Sequence, residues 1–177
     1  MRRTTLLALT TAGLVALGCG AGATGEVSGT ADGTDTGGGG TDTRKVAAIG
    51  EPARDGKFEF TVTSAKCGVD KVGSGPLGAT AQGQYCLVEL TVENIGKQAQ
   101  LLDGSSQKAY DAKGTEYSTD TEAALYANKK AETFLNEINP GNRVTGVIVF
   151  DVPKKVKLTE VKLHDSFLSG GVTVSLN

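Results

Sequence analysis

The sequence has no tryptophan and one histidine, and aromatic residues make up 5% of its 177 residues. With His164 alone, a metal site built from several histidines is excluded and a single candidate general base is left. Enzymes that act on wall polymers need a cleft with converging carboxylates and usually exposed aromatic side chains, so the missing tryptophan disfavours them. A cell-envelope enzyme acting on wall polymer is therefore the alternative to a protein that only binds.

Motifs for catalysis and for cofactors are missing as well. No glycine-rich phosphate loop precedes Lys-Ser or Lys-Thr, and no acidic run has the spacing of a calcium loop. Residues 103–106, Asp-Gly-Ser-Ser, offer oxygen ligands but have the composition of a turn. His164-Asp165-Ser166 has the residue types of a hydrolytic triad, but consecutive strand residues point to opposite faces. We expect no catalytic residue, no metal and no cofactor.

Charge gives no indication of a polyanionic partner. Removing Arg2 and Arg3 with an export signal leaves 16 basic and 20 acidic residues, a net charge of −4. Lys154, Lys155 and Lys157 form a small cluster without an aromatic residue, which is typical of a solvated sheet edge. We expect no nucleic-acid partner.

Residues 1–18 have the pattern of a lipoprotein signal peptide. Two arginines precede an apolar run from Leu6 to Leu17, which is too short to span a bilayer as a helix. Residues 15–19, Val-Ala-Leu-Gly-Cys, resemble the lipobox of bacterial lipoproteins, although the two residues before the glycine depart from its usual pattern. The resemblance implies cleavage before Cys19 and a lipid on that residue, which would anchor the protein to the outer face of the cell membrane. A plain secretory signal is the alternative, and the paired arginines partly resemble a twin-arginine signal.

The cysteine count agrees with a lipid on Cys19. Three cysteines in an exported protein leave one unpaired. If Cys19 carries lipid, Cys67 and Cys86 are free to form a disulfide in an oxidising compartment. That bond would close a 20-residue loop and stabilise the fold by roughly 3 kcal/mol on the chain-entropy model.

Residues 19–45 consist almost entirely of Gly, Thr, Ala and Asp, with four consecutive glycines at 37–40. Such a segment buries too little apolar surface to offset the entropy of ordering it. We predict a disordered tether with a root-mean-square reach of about 28 Å, which would hold a domain clear of a membrane. A low-complexity segment without function is the alternative.

Residues 46–177 predict an all-β domain with one short helical segment. Apolar and polar residues alternate over 58–63 and 86–93, as in strands with one buried and one wet face. Residues 144–152 are apolar on both faces and stop before a proline, which indicates a strand inside a sandwich. Further short strands are predicted at 98–102, 107–111, 158–163 and 172–176, with a hairpin turn at 111–114. The total of seven or eight antiparallel strands is typical of an immunoglobulin-like β-sandwich.

Cys67 predicts an irregularity in this pairing. It has the opposite parity to Phe58, so a disulfide requires a bulge or a strand end near residues 64–66. Residues 68–84 are rich in glycine and predict a long loop closed by the disulfide.

The segment 118–133 predicts the helix and a possible binding surface. Thr119 and Glu122 fit a capping box ahead of residues 123–126. Loops at the ends of sandwiches often carry recognition, and here an apolar and aromatic pair is flanked by charge. The candidate residues are Leu125, Tyr126, Lys129 and Lys130. The alternative is that the apolar pair only closes the end of the core.

Four segments together resemble a known family. They are Gly56-Lys-Phe-Glu-Phe60, Tyr85-Cys-Leu-Val-Glu-Leu-Thr-Val-Glu-Asn94, Tyr110-Asp-Ala-Lys-Gly114, and Leu135-Asn-Glu-Ile-Asn-Pro-Gly141 with Val147-Ile-Val-Phe-Asp-Val-Pro153. The resemblance is to the domain of unknown function common in Gram-positive surface lipoproteins, and it implies an immunoglobulin-like sandwich. That family has no established activity, so the resemblance assigns no functional residue. We expect a non-catalytic, membrane-anchored module outside the cytoplasm that binds an unknown protein or envelope ligand.

Overall fold

The computed structural model describes residues 46–128 and 134–177. In these residues eight strands form two four-stranded antiparallel sheets, so the predicted immunoglobulin-like sandwich is confirmed. The strands are β1 (Pro52–Asp55), β2 (Phe58–Ser74), β3 (Leu77–Asn94), β4 (Lys108–Asp111), β5 (Glu116–Ser118), β6 (Arg143–Val152), β7 (Leu158–Leu163) and β8 (Val172–Ser175). A 3-10 turn (Gly104–Ser106) precedes β4, and helix α1 (Thr121–Ala127) precedes β6. No helix of the described residues is long and apolar enough to cross a bilayer.

The core lies between the two sheets. One sheet has the order β1-β2-β3-β6 and the other β5-β4-β7-β8. The alternating residues of β2 and β3 point their apolar side into the space between the sheets, where Phe58, Phe60 and Leu90 are fully buried. Val161 and Leu163 of β7 close the core from the second sheet.

Strand β6 is the edge strand of its sheet, and it lies inside the sandwich with both faces covered. Its inner face carries Ile148 and Phe150 in the main core, as expected. Its outer face is apolar because α1 covers it: Val149 packs with Ala123 of the helix in a second cluster. Two residues occupy the backbone edge of β6 that faces away from β3. The Asn128 side chain donates to the carbonyl of Val147 at 2.9 Å and accepts from its N–H at 2.8 Å, and the N–H of Asp120 donates to the carbonyl of Val149 at 2.7 Å.

The glycine-rich residues 68–84 form the two arms of the long β2–β3 hairpin, so the predicted loop is wrong. The glycines allow close backbone approach within paired strands. A Cβ on Gly78 would lie 2.4 Å from the carbonyl oxygen of Val72, and one on Gly83 would lie 2.3 Å from that of Val152. Val72 of this hairpin packs with the cluster beneath α1, which explains why the strands continue so far.

The disulfide between Cys67 and Cys86 is present and joins β2 to β3, which confirms that prediction. The pairing of the two strands shifts between Val62 and Ser64, so Thr63 is the bulge that reverses the parity. It lies beside the predicted stretch 64–66. A second shift follows between Lys66 and Val69.

Two local predictions need correction and one is confirmed. The cap of α1 is Asp120, whose carboxylate accepts from the N–H of Ala123 at 2.8 Å, one residue after the predicted Thr119. Residues 98–102 form a single bridge, Gln100 to Ile138, because the chain there serves as a connection between the sheets. The hairpin turn at 111–114 is present, with Gly114 at a φ of 78°.

Three buried side-chain amides fasten the loops to the sandwich. Asn94 donates to the carbonyls of Gln98 and Ile138, each at 2.7 Å, and accepts from the N–H of Gly96 at 2.8 Å. Gln107 similarly joins Asp103 to His164, and Gln84, in the middle of β3, joins this strand to the turn where β6 ends. These bonds replace backbone pairing where the strands stop.

Candidate functional site

An open apolar cleft lies where α1 meets the free edge of β6. Its volume is about 320 Å³, at the lower end of the usual range for small-molecule sites. One wall is α1, and the other is formed by residues 101–105 and 134–135. The apolar lining comprises Leu101, Leu102, Leu125, Phe134, Leu135 and Val149.

Three leucines at this cleft are exposed to solvent. Leu101 is 53% exposed, Leu125 40% and Leu135 61%. They belong to three separate segments, and only the fold brings them together around one opening. Grouped apolar side chains with a polar rim are typical of binding surfaces, whereas single exposed leucines are common on any protein.

Three of the polar side chains around the cleft are bonded to the protein itself. Asp103 accepts hydrogen bonds from the hydroxyls of Ser105 and Ser106, which lower the pKa of its carboxyl below the usual value. The Thr119 hydroxyl donates to the carbonyl of Gly104 at 2.9 Å. The Asn128 amide is engaged with the edge of β6. These side chains hold the walls in place, and one of them carries a negative charge at the rim.

The predicted binding residues are divided by the structure. Leu125 lines the cleft, whereas Tyr126 lies against the β2–β3 hairpin, its Cβ 3.2 Å from the position of a Cβ on Gly73. Tyr126 is 37% exposed and Ala123 is the buried residue of the helix, which disfavours the interpretation that the apolar pair closes the core. Lys129 and Lys130 lie outside the described residues, as does Cys19. A binding role for this surface stays a prediction.

Sequence reasoning missed the other wall of the cleft. Leu101 falls in the predicted strand 98–102, and Leu135 falls in a connection, so neither pattern indicates a residue at a cleft. The bridge between Gln100 and Ile138 brings the two connections together, and such a pairing across 38 positions leaves no local signal.

His164 does not form the triad that its neighbours suggest. Its Nδ1 lies 3.2 Å from the carbonyl oxygen of Ser169 and 3.4 Å from the Ser169 hydroxyl. That hydroxyl donates to the carbonyl of Ser166 at 2.9 Å. The backbone N–H of Asp165 donates to Asp55, so this residue faces the β1–β2 turn. The contacts around His164 hold a loop together.

A shallow polar depression beside His164 offers no stronger chemistry. The Tyr110 hydroxyl donates to Glu116 at 2.7 Å, and burial together with this carboxylate raises the pKa of Tyr110 to about 12. The phenol is therefore neutral at physiological pH. Lys108 contacts both Ser118 and Glu116. In residues 46–128 and 134–177, no three His, Cys, Asp or Glu residues are placed to hold a metal ion.

Comparison with solved structures finds the same fold in two bacterial proteins. The yjhA protein of Bacillus subtilis matches with a TM-score of 0.55 and 18% identity, over 75% of this chain and all of that one. The secreted protein MPT63 of Mycobacterium tuberculosis matches with a TM-score of 0.54 and 17% identity, over 73% of this chain and 95% of that one. At these identities the likeness shows a shared sandwich and nothing about function.

Sequence comparison identifies the family. The uncharacterized protein YxkC of Bacillus subtilis strain 168 is 32% identical over 123 residues, which cover 64% of this chain and 67% of that protein. The family described as "Domain of unknown function (DUF4352)" matches residues 47–173, which include all four segments that carry the resemblance. The chain therefore belongs to the DUF4352 family.

Proposed function

We propose that this protein is a lipid-anchored, non-catalytic module outside the cytoplasm that binds the hydrocarbon chain of an envelope lipid. The apolar cleft between α1 and the edge of β6 carries this proposal. A ligand that covers exposed apolar side chains gains free energy because it removes them from water. The exposed leucines of this cleft offer such a surface.

The chemistry of the lining favours a hydrocarbon chain over a peptide. A bound peptide brings its own N–H and C=O groups, which lose free energy unless the site pairs them. The side chains of Asp103, Thr119 and Asn128 already bond to the protein. A hydrocarbon chain requires no such partners and gains about 25 cal/mol for each Å² of apolar surface that it buries.

Two features support the location. The apolar run before Cys19 resembles a lipoprotein signal, and the Cys67–Cys86 disulfide agrees with an oxidising compartment outside the cytoplasm. The pairing of these two cysteines leaves Cys19 as the third, available for a lipid.

Anchoring is tested by Cys19→Ser in the natural host. We expect the unchanged protein to fractionate with membranes and to carry a diacylglycerol by intact mass, and the variant to lose both properties because no thioether can form. Gly20→Ser is the matched control, since it alters the next residue and keeps the thiol. A Cys19→Ser protein that still fractionates with membranes and keeps its mass addition would contradict the anchor.

Binding in the cleft is tested with a neutral fluorescent probe, a dansyl amide of dodecylamine. We expect Leu125→Asp to weaken its binding about tenfold or more, because a carboxylate replaces an apolar contact at the mouth of the cleft. Leu77→Asp is the control, since Leu77 is 70% exposed and lies at the tip of the β2–β3 hairpin, outside the lining. Titration of the dansyl fluorescence gives the dissociation constants.

Two further results decide the ligand class. An anionic dansyl undecanoate should bind more weakly than the neutral probe, because the Asp103 carboxylate lies at the rim. Equal binding by wild type and Leu125→Asp would exclude the cleft as the site. Tighter binding of an apolar peptide than of any alkyl probe, with the same loss in Leu125→Asp, would keep the cleft and overturn the lipid assignment.

A further inference from the structure

We infer that the loop between β7 and β8, residues 164–171, contacts the surface of the membrane that anchors the protein, with Phe167 and Leu168 inserted among the lipid headgroups. The inference rests on the proposed anchor at Cys19 for its biological setting. It replaces the expectation that the tether only holds the domain clear of the membrane, because a flexible tether with a reach of about 28 Å also lets the domain touch the surface. It concerns a surface separate from the lining of the cleft.

Phe167 and Leu168 are the most exposed large apolar residues of the described chain. Phe167 is 78% exposed and Leu168 82%, and they are neighbours at the tip of one loop. Two adjacent apolar side chains projecting into water lose free energy that a partner with an apolar interior would restore. A lipid surface is such a partner.

The chain enters the domain beside this loop. Ala47 pairs with Val174 in the parallel direction, and the N–H of Ala47 donates to the carbonyl of Thr173 at 3.2 Å. Because the pairing is parallel, Val46 lies toward the start of β8, where the loop 164–171 ends. The 27 residues from Cys19 to Lys45 therefore join the domain at the end that carries Phe167 and Leu168.

Another exposed apolar residue, Ile95, shares this end of the sandwich. The N–H of Asp165 donates to Asp55 at 2.6 Å, which places the loop at the β1–β2 turn, and β3 ends at the same turn. Ile95 follows β3 directly and is 39% exposed. The basic cluster at 154–157 lies at the opposite end, between β6 and β7. The end that the chain enters therefore carries Phe167, Leu168 and Ile95 and lacks the basic cluster.

The base of the loop is fastened by hydrogen bonds. The N–H of His164 donates to the side chain of Gln107 at 2.8 Å. The N–H of Ser169 donates to the carbonyl of Ser166 at 3.0 Å, so the chain turns tightly around the two apolar residues. Because this loop is already ordered, it loses little conformational entropy when its tip enters the lipid headgroup layer.

The charges near the loop are mixed. Asp165 lies within the loop and Asp55, Lys57 and Lys162 lie beside it, so the two lysines form no basic cluster. Contact with a membrane should therefore depend on the apolar pair and little on anionic lipid. Two side chains alone bind a bilayer weakly, but a tether raises their effective concentration at the surface to the millimolar range.

Because the sequence has no tryptophan, the fluorescence of one introduced tryptophan reports on the surroundings of that position alone. The chain from Cys19 to Asn177 is coupled through the Cys19 thiol to a maleimide lipid in phosphatidylcholine vesicles, while Cys67 and Cys86 remain in their disulfide. In the Leu168→Trp variant we expect the fluorescence to shift to shorter wavelength on coupling and to lose about half its intensity when the acyl chains are brominated. In the Leu77→Trp variant, at the far hairpin tip, we expect neither change.

Several outcomes decide the inference. Adding Phe167→Ser to the Leu168→Trp variant should reduce both the shift and the quenching, whereas replacing a third of the lipid with phosphatidylglycerol should alter them little. No shift in the coupled Leu168→Trp protein would overturn the inference, as would a shift that appears without vesicles when the protein is concentrated, because that result would assign the loop to contact between two copies. Chemical coupling supplies the anchor here, so a cell that does not lipidate Cys19 would refute the proposed function without affecting this result.

Discussion

Asn94→Ala is expected to lower the free energy of unfolding by about 3 kcal/mol, because three hydrogen bonds are lost inside the protein. Asn94 is fully buried, and its amide bonds the carbonyls of Gln98 and Ile138 and the N–H of Gly96. An alanine leaves these partners facing an apolar space that cannot replace the bonds. For a domain of this size the melting temperature should fall by about 10 °C.

Denaturant unfolding followed by circular dichroism measures this effect, and two variants sharpen it. Asn139→Ala is the matched control, since Asn139 is exposed and adjoins Ile138, and we expect little change. Asn94→Asp keeps the acceptor for Gly96 but loses both donated bonds, so it should be at least as unstable as Asn94→Ala. Wild-type stability in Asn94→Ala would show that the loops hold their places without this amide.

Loss of the disulfide should have a similar effect. Replacing both Cys67 and Cys86 by alanine removes a bond with a sequence separation of 19, and on the chain-entropy model the free energy of unfolding falls by roughly 3 kcal/mol. Cys86 is buried, so the alanine there also leaves a small cavity. Reduction of the wild-type protein should lower its melting temperature in the same direction.

The double variant supplies its own control. A reducing agent should lower the stability of the wild type and leave that of the double variant unchanged, because Cys19 makes no bond within the domain on this account. Equal stability of wild type and double variant in oxidising buffer would refute a stabilising role for the bond. A peptide map with both thiols free would refute the bond itself.

The sequence predicted the sandwich because period-two alternation is a local signal. Phe58, Phe60 and Leu90 occupy the core positions that alternation assigns to them. The parity of Cys67 also located a bulge to within a few residues. In a regular strand Cys67 would point away from the core face that carries Phe58, so a disulfide to Cys86 requires a bulge between Phe58 and Cys67.

The errors have a common physical cause. The glycines at 73, 78 and 83 carry no apolar side chain, so their stretch resembles a loop. In the fold each lies so close to neighbouring backbone atoms that a Cβ would clash with them, which requires glycine there. The sequence did not indicate what covers the outer face of β6, because α1 lies more than twenty residues upstream of that face. The wall of the cleft that contains Leu101 and Leu135 depends on the long-range bridge between Gln100 and Ile138, and the sequence indicated only Leu125 of the opposite wall.

On the proposed anchor, the amide of Asn128 has a consequence for copies of this protein that share a membrane. It occupies the N–H and C=O of Val147, the groups through which β6 would otherwise accept a ninth strand. Proteins anchored to a surface diffuse in two dimensions and meet their neighbours far more often than free proteins at the same copy number. On the proposed anchor, this amide and the N–H of Asp120, which donates to the carbonyl of Val149 at 2.7 Å, would keep crowded copies from joining edge to edge into fibres.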